Sequence, residues 1–212
     1  MEQMIVDTDL TYIEGKTKLI IRIMDVSISI ILLILSLPVI AVVSLLIKIF
    51  DEGPVFFRQV RPGIGLKDLT IIKFRTMRVG AEEFENQKIE IVGEPNIQTE
   101  NDDRVTRIGA LLRRLSLDEL PQLLLVLRGK MSIVGPRPLI KAEVKILPGK
   151  YLSRYKVLSG ITGLAQVSGR ARLSVWDILE MDLEWVERYS AALYLKILWK
   201  TIIAIFRTEE AC

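Results

Sequence analysis

The sequence predicts an α/β protein, mostly helical, with an N-terminal re-entrant membrane helix-break-helix, a short β-hairpin and amphipathic interfacial helices around a small core. Three observations predict it. Residues 26–47, VSISIILLILSLPVIAVVSLLI, carry no charge. After residue 50 the pattern changes to glycine and proline punctuation with β-branched alternation. Beyond residue 104, apolar residues recur at helical spacing.

The charge-free run has the length of a membrane helix, for which about 20 apolar residues suffice. It begins too far in, and lacks the small-residue cleavage site, for a cleaved signal peptide. Pro38 lies near its middle, where a missing N–H and a ring clash predict a break, with the Ser36 hydroxyl placed to bond freed carbonyls. Basic residues flank both sides: Lys16, Lys18 and Arg22 before, Lys48, Arg58, Arg61 and Lys67 after. A simple span would put one basic flank outside, against the positive-inside tendency, so a helix that returns to its own face is preferred over a kinked span. Segment 1–21 is an N-terminal extension with no assigned role, 22–50 the membrane helix, and 51–212 the remaining domain.

Residues 55–60 (VFFRQV) and 69–77 (LTIIKFRTM) read as strands joined by the turn-rich RPGIGLKD, a hairpin. The acidic stretch between residues 78 and 103 reads as a surface loop with one short helix. Residues 104–115 place Val105, Ile108, Leu111, Leu112 and Leu115 on one helical face, with arginines elsewhere. Residues 139–158, broken by Pro148 and Gly149, read as two short helices whose lysines and arginines suit an anionic membrane surface or a plain solvated face. Residues 174–189 and 192–206 read as helices.

Composition narrows the chemistry. With 29 Lys and Arg against 26 Asp and Glu, a net charge of +3 argues against a dedicated nucleic-acid binder. There is no histidine, which excludes a Ser-His-Asp triad and His-ligated zinc, and the sole cysteine, Cys212, excludes an internal disulfide framework. Carboxylates, lysine, tyrosine and hydroxyls remain, with a hard metal on oxygen ligands.

The stretch SLDELPQL puts Asp118 and Glu119 side by side in an apolar frame. Ser116 and Glu119 match a capping box, but Pro121 would then interrupt the helix. With Leu117 or Asp118 as the cap, Pro121 falls in the first turn, and Asp118 sits at the positive helix end, which favours its ionised form. A helix cap, a metal ligand and a nucleophile are all uses of such a carboxylate. Lys73, Arg75, Arg113, Arg114 and Arg137 lie near predicted element ends and supply phosphate-binding groups, while prolines flank Arg137 and stiffen its backbone. The glycines of GITGLAQVSGR serve either a close ligand approach or tight turns.

Read together, RIMDVSISIILLILSLPVI, GPVFFRQVRPG, IIKFRTM, TRIGALLRRLSLDELPQLLLVLRGKMSIVGPRP, PGKYLSRYKVLSGITGLAQVSGR and MDLEWVERYS resemble, in family order, the bacterial sugar transferases, specifically the small monotopic polyprenyl-phosphate phosphoglycosyl transferases. The resemblance implies transfer of a sugar-1-phosphate from a UDP-sugar to undecaprenyl phosphate with release of UMP. It implies that residues 51–212 are a cytoplasmic catalytic domain on the bacterial inner membrane. It also implies a nucleophilic Asp118 that is also the magnesium ligand, an acidic partner in Glu119, and phosphate binding by Lys73, Arg75, Arg113 and Arg137. Expected partners are the UDP-sugar, undecaprenyl phosphate and the bilayer, with no nucleic acid; a homo-oligomer is compatible with the sequence. Two positions depart from similar proteins: Leu37 separates Ser36 from Pro38, and Leu164 stands where many have an aromatic residue. The competing readings are a non-catalytic membrane-anchored protein that binds anionic lipid or nucleotide, and a glycosyl transferase that releases UDP.

Overall fold

The computed structural model describes residues 15–51, 53–81, 103–169 and 173–206. The predicted N-terminal extension up to residue 14 and most of the acidic loop lie outside them. Helix α1, Lys16–Phe50, has 35 residues and so is about 52 Å along its path at 1.5 Å per residue. The sequence predicts two helices parted at Pro38; the structure has one, with Pro38 inside it. A proline removes only its own N–H, and the turns on either side keep theirs. The Ser36 hydroxyl donates to the Leu33 carbonyl, not to that of Ile34, which the proline frees.

Both ends of α1 are bound to one body. Near its start, Asp25 Oδ1 accepts from Ser132 Oγ at 3.0 Å, Ile133 N at 2.8 Å and Tyr194 Oη at 2.7 Å. Arg22 donates to the carbonyls of Val126 and Leu127. Near its end, Val43 and Ile47 pack with Phe74 and Leu112, Arg75 donates to the Asp51 carbonyl at 2.9 Å, and Thr106 Oγ1 donates to Asp51 Oδ2 at 2.7 Å. Between these ends Ile30, Ile31, Ile34, Leu35 and Leu37 are exposed.

Strands β1, Phe56–Pro62, and β2, Asp68–Phe74, form the expected antiparallel hairpin, with Phe56 opposite Phe74 and Pro62 opposite Asp68. β2 ends earlier than its β-branched pattern predicts: Arg75 N still donates to the facing Val55 carbonyl at 2.9 Å, while Thr76 and Arg78 turn to Thr106 and Arg104. Helix α2, Arg107–Arg114, is capped by Thr106, whose hydroxyl accepts from Gly109 N at 2.9 Å. A 3-10 segment, Leu117–Gln122, leads into α3, Leu123–Leu127. Strands β3, Ser132–Val134, and β4, Gly160–Thr162, pair in parallel; three residues each are too few to show an alternation in sequence. Between them lie α4, Lys141–Ile146, and a 3-10 segment, Gly149–Lys156, the two short helical pieces expected there. Helices α5, Leu164–Ser168, α6, Val175–Glu187, and α7, Ala191–Phe206, complete the chain. The main core joins Ile21 of α1, Leu69 and Ile71 of β2, Val126, Met131, Ile133, Trp185, Tyr194 and Ile197.

The α2 helix docks against the strand exit backbone to backbone. Thr106 N donates to the Thr76 carbonyl at 3.0 Å, and a Cβ on Gly109 would lie 2.0 Å from that same oxygen. Gly109→Ala is therefore expected to push α2 off Thr76 and to cost roughly 1–3 kcal/mol, read as a lower midpoint in thermal or denaturant unfolding. An unchanged midpoint would show that the helix shifts freely.

Candidate active site

The site is built where the hairpin meets the 3-10 segment. Strand period two puts Lys73 on the face of Leu69 and Ile71, so its side chain points inward. After α2, Ser116 adopts a left-handed φ of 54° and turns the chain, presenting Asp118 and Glu119 from the next turn. Glu119 Oε1 meets Lys73 Nζ at 2.7 Å and Arg137 Nη1 at 3.1 Å. Asp118 is buried, and its side chain makes no hydrogen bond or ion pair among the described residues.

The two neighbouring carboxyls are driven apart in acidity. Burial alone would raise Glu119, but the Lys73 ammonium and Arg137 guanidinium outweigh it and hold that carboxyl at about 2. Burial raises Asp118, with Lys73, Arg137 and Arg113 opposing without cancelling it and the Glu119 charge adding to the rise. The helix-start position expected to favour the ionised Asp118 is thus opposed by burial. Desolvation outweighs any helix-end field here, and the segment is a six-residue 3-10 turn rather than an α-helix. Burial also lowers Lys73, with Glu119 opposing.

Arg137 sits on a loop fixed by its own backbone. Pro136, Arg137 and Pro138 present successive carbonyls to Gly160 N at 2.9 Å, Arg154 Nη2 at 2.7 Å and Arg61 Nη1 at 2.5 Å. The flanking prolines limit φ, and three donors from separate segments do the rest. Gly160 has no side chain because a Cβ there would lie 2.1 Å from Gly135 N, so the glycines of this region serve chain-on-chain packing.

Of the residues predicted for the site, the structure brings together Lys73, Asp118, Glu119 and Arg137. Arg113 acts on Asp118 through its charge while its Nε bonds Thr76 Oγ1 at 2.9 Å. Arg75 is placed otherwise: buried, and bonded to the carbonyl of Asp51 at the end of α1. Ser36 and Pro38 stay within α1. Leu164 starts α5 and packs against the main core. Sequence reading missed the roles of Arg61 and Arg154. Arg154 reads as one charge among several on a basic segment, yet it is buried and paired with Asp182 Oδ2 at 2.5 Å. Its partner lies 28 residues away on α6, and no local spacing signals the pair.

Chemically, a carboxyl with no partner among the described residues lies beside one held ionised by two cations, the arrangement of an attacking group next to a charged clamp. Among the described residues there is no group of three acidic, histidine or cysteine side chains able to hold a metal unaided. Magnesium commonly binds through one or two carboxylates with the rest of its shell from water and substrate phosphates, and Asp118, free of partners among the described residues, fits that use.

Comparison with known proteins places these features. A model of the bacterial sugar transferases matches residues 16–208. A UDP-glucose:undecaprenyl-phosphate glucose-1-phosphate transferase of Escherichia coli is 38% identical over 95% of this chain and 43% of its own length. A protein of the same name from Caulobacter vibrioides is 37% identical over 90% of this chain and 71% of its own. An uncharacterized sugar transferase of Bacillus subtilis is 38% identical over 89% of this chain and 88% of its own. The chain thus spans less than half of the Escherichia coli protein and most of the Bacillus one.

Proposed function

The chain belongs to the bacterial sugar transferase family, and from that premise we propose that it transfers a sugar-1-phosphate from a UDP-sugar to undecaprenyl phosphate, releasing UMP, in polysaccharide synthesis. The observation that carries the reading is the buried Asp118, without a hydrogen bond or ion pair among the described residues, beside a Glu119 clamped by Lys73 and Arg137. A carboxylate oxygen of Asp118 attacks the β-phosphorus of the UDP-sugar. The bond from that phosphorus to the bridging oxygen breaks, and UMP leaves with the electron pair. An oxygen of undecaprenyl phosphate then attacks the phosphorus of the acyl phosphate, and Asp118 leaves as the carboxylate, ready for another cycle. Both nucleophiles are anions, so neither step needs a histidine base.

Arg137 and Lys73 hold Glu119 and, with Arg113, provide positive charge where the pyrophosphate would lie. A magnesium ion on Asp118 and the substrate phosphates would neutralise the pyrophosphate and stabilise the departing UMP. UDP-glucose is the first donor to test, since several relatives are named for it.

We place the protein on the cytoplasmic face of the bacterial inner membrane, with α1 re-entrant. α1 is long and apolar enough to cross a membrane. In favour of a return, Asp25 and Asp51, which bracket the charge-free run, both bond the same body. A straight span would part them across a hydrocarbon layer of about 30 Å.

The test is a nucleotide-release assay on nanodisc-held protein with undecaprenyl phosphate, magnesium and a panel of UDP-sugars. The expected result is UMP in one enzyme equivalent without the lipid acceptor and in many equivalents with it. Release of UDP would identify transfer of the sugar alone, and tight binding of donor without any release across the panel would identify a non-catalytic binder.

A further inference from the structure

At the start of α1, a cavity of about 370 Å³ is lined by Lys18, Leu19, Arg22, Asp25, Lys156 and Leu158 among others, and by none of Lys73, Asp118, Glu119 or Arg137. It lies at the entry to β3, lined by Gly129 and Ser132, whereas Arg137 follows the exit of that strand. Among the described residues its charged lining is Lys18, Arg22 and Lys156 with the carboxylate of Asp25. Asp25 Oδ1 is already engaged by Ser132, Ile133 and Tyr194, and Arg22 commits two donors to the carbonyls of Val126 and Leu127. Lys18 and Lys156 have no ion pair among the described residues. Lys18 and Lys156 thus line one recess without an ion pair among the described residues, a setting for a phosphate.

A second feature decides which phosphate. Leu19 lines the cavity and opens a stripe of exposed apolar residues, Leu19, Ile23, Ile30 and Ile34, spaced by four, seven and four so that they share one helix face. The stripe runs from the cavity into the charge-free part of α1. A free phosphate would use the lysines alone, whereas a lipid would use the lysines for its headgroup and the stripe for its chains. We propose that this cavity binds the phosphate of an anionic phospholipid, with its acyl chains laid along the Leu19 to Ile34 face, apart from the transfer site. The proposal rests on the membrane placement of α1 and not on the transfer reaction.

The experiment reconstitutes the full chain in phosphatidylcholine nanodiscs containing about 30 mol% phosphatidylglycerol and counts retained lipids by native mass spectrometry after release. Wild-type protein is expected to retain phosphatidylglycerol above its bulk fraction. Lys18→Gln with Lys156→Gln is expected to weaken that retention about 30-fold, taking roughly 1 kcal/mol per lysine near a lipid surface. Lys67→Gln with Lys145→Gln, both exposed and outside the cavity, is expected to leave retention as it was. Equal retention in the cavity variant, equal loss in the control variant, or displacement by inorganic phosphate or glycerol-3-phosphate would each overturn the lipid site. A chain that fails to enter phosphatidylcholine discs at all would overturn the membrane placement itself, and this site with it.

Discussion

Asp118→Asn is expected to lower UMP release by at least about 10³-fold, as loss of an attacking group does, while the protein stays folded and, at neutral pH, becomes no less stable. The second half of that result follows from the same burial that makes the site. The Asp118 carboxyl is raised above its ordinary value of 3.8, chiefly by desolvation. A carboxyl raised on folding contributes stability below its unfolded value and loses it as pH climbs through the window up to the folded one, so at pH 7 its charge opposes folding. Asparagine keeps the shape without the charge and relieves that cost. An Asn variant that unfolds at a lower temperature than wild type at pH 7 would remove the claim that Asp118 is held against its stability, and one that still releases UMP would remove Asp118 as nucleophile.

The same shift has a direct readout in the protein without donor or magnesium. There the Asp118 carboxyl is expected to titrate above an ordinary carboxylate, whereas Glu119, held at about 2, stays charged across that window. Followed by carboxyl NMR, the raised titration is expected to vanish in Asp118→Asn and to persist in Glu119→Gln; a raised titration lost in Glu119→Gln instead would show that the Lys73 and Arg137 clamp is looser than drawn.

How much of this was legible in the sequence depended on the range of the forces involved. The hairpin was, because Phe57, Gln59 and Arg61 alternate with Phe56, Arg58 and Val60 across a pleat whose register the chain itself closes. The long apolar helix was, as a charge-free run, though its continuity through Pro38 was not. The carboxylate pair was legible as a motif, but its electrostatics were not. Nothing near residue 119 in the chain says that Lys73, 46 residues earlier, will arrive on its Oε1. Nor does local spacing say where Arg75, expected among the phosphate-binding groups, sends its side chain, which donates to the Asp51 carbonyl. The strand ends at Phe74, and Arg75 turns to the end of α1. Arg154 was hidden most fully, since a buried ion pair is made by tertiary packing, and in sequence it is indistinguishable from the exposed Lys150 nearby.

Arg154 therefore carries the largest stability effect expected in the molecule. Its side chain is 1% exposed and that of Asp182 3%, and one nitrogen, Nη2, donates both to Asp182 and to the Arg137 carbonyl. Arg154→Met removes the cation and leaves a buried carboxylate that burial already pushes up and Arg154 alone opposes. Breaking a buried pair in this way costs about 3–5 kcal/mol, on the order of 10 °C in Tm for a chain of this size. The companion variant, Arg154→Met with Asp182→Leu, replaces both charges by apolar volume and is expected to regain most of that stability, because an intact buried pair is worth little more than good apolar packing. Activity is expected not to return with it. The bond from Arg154 to the Arg137 carbonyl is still missing, so the guanidinium that clamps Glu119 is less well placed, and kcat stays low while the fold is whole. A double variant with wild-type kcat would confine Arg154 to stability; a single variant with wild-type Tm would show that the pair contributes none.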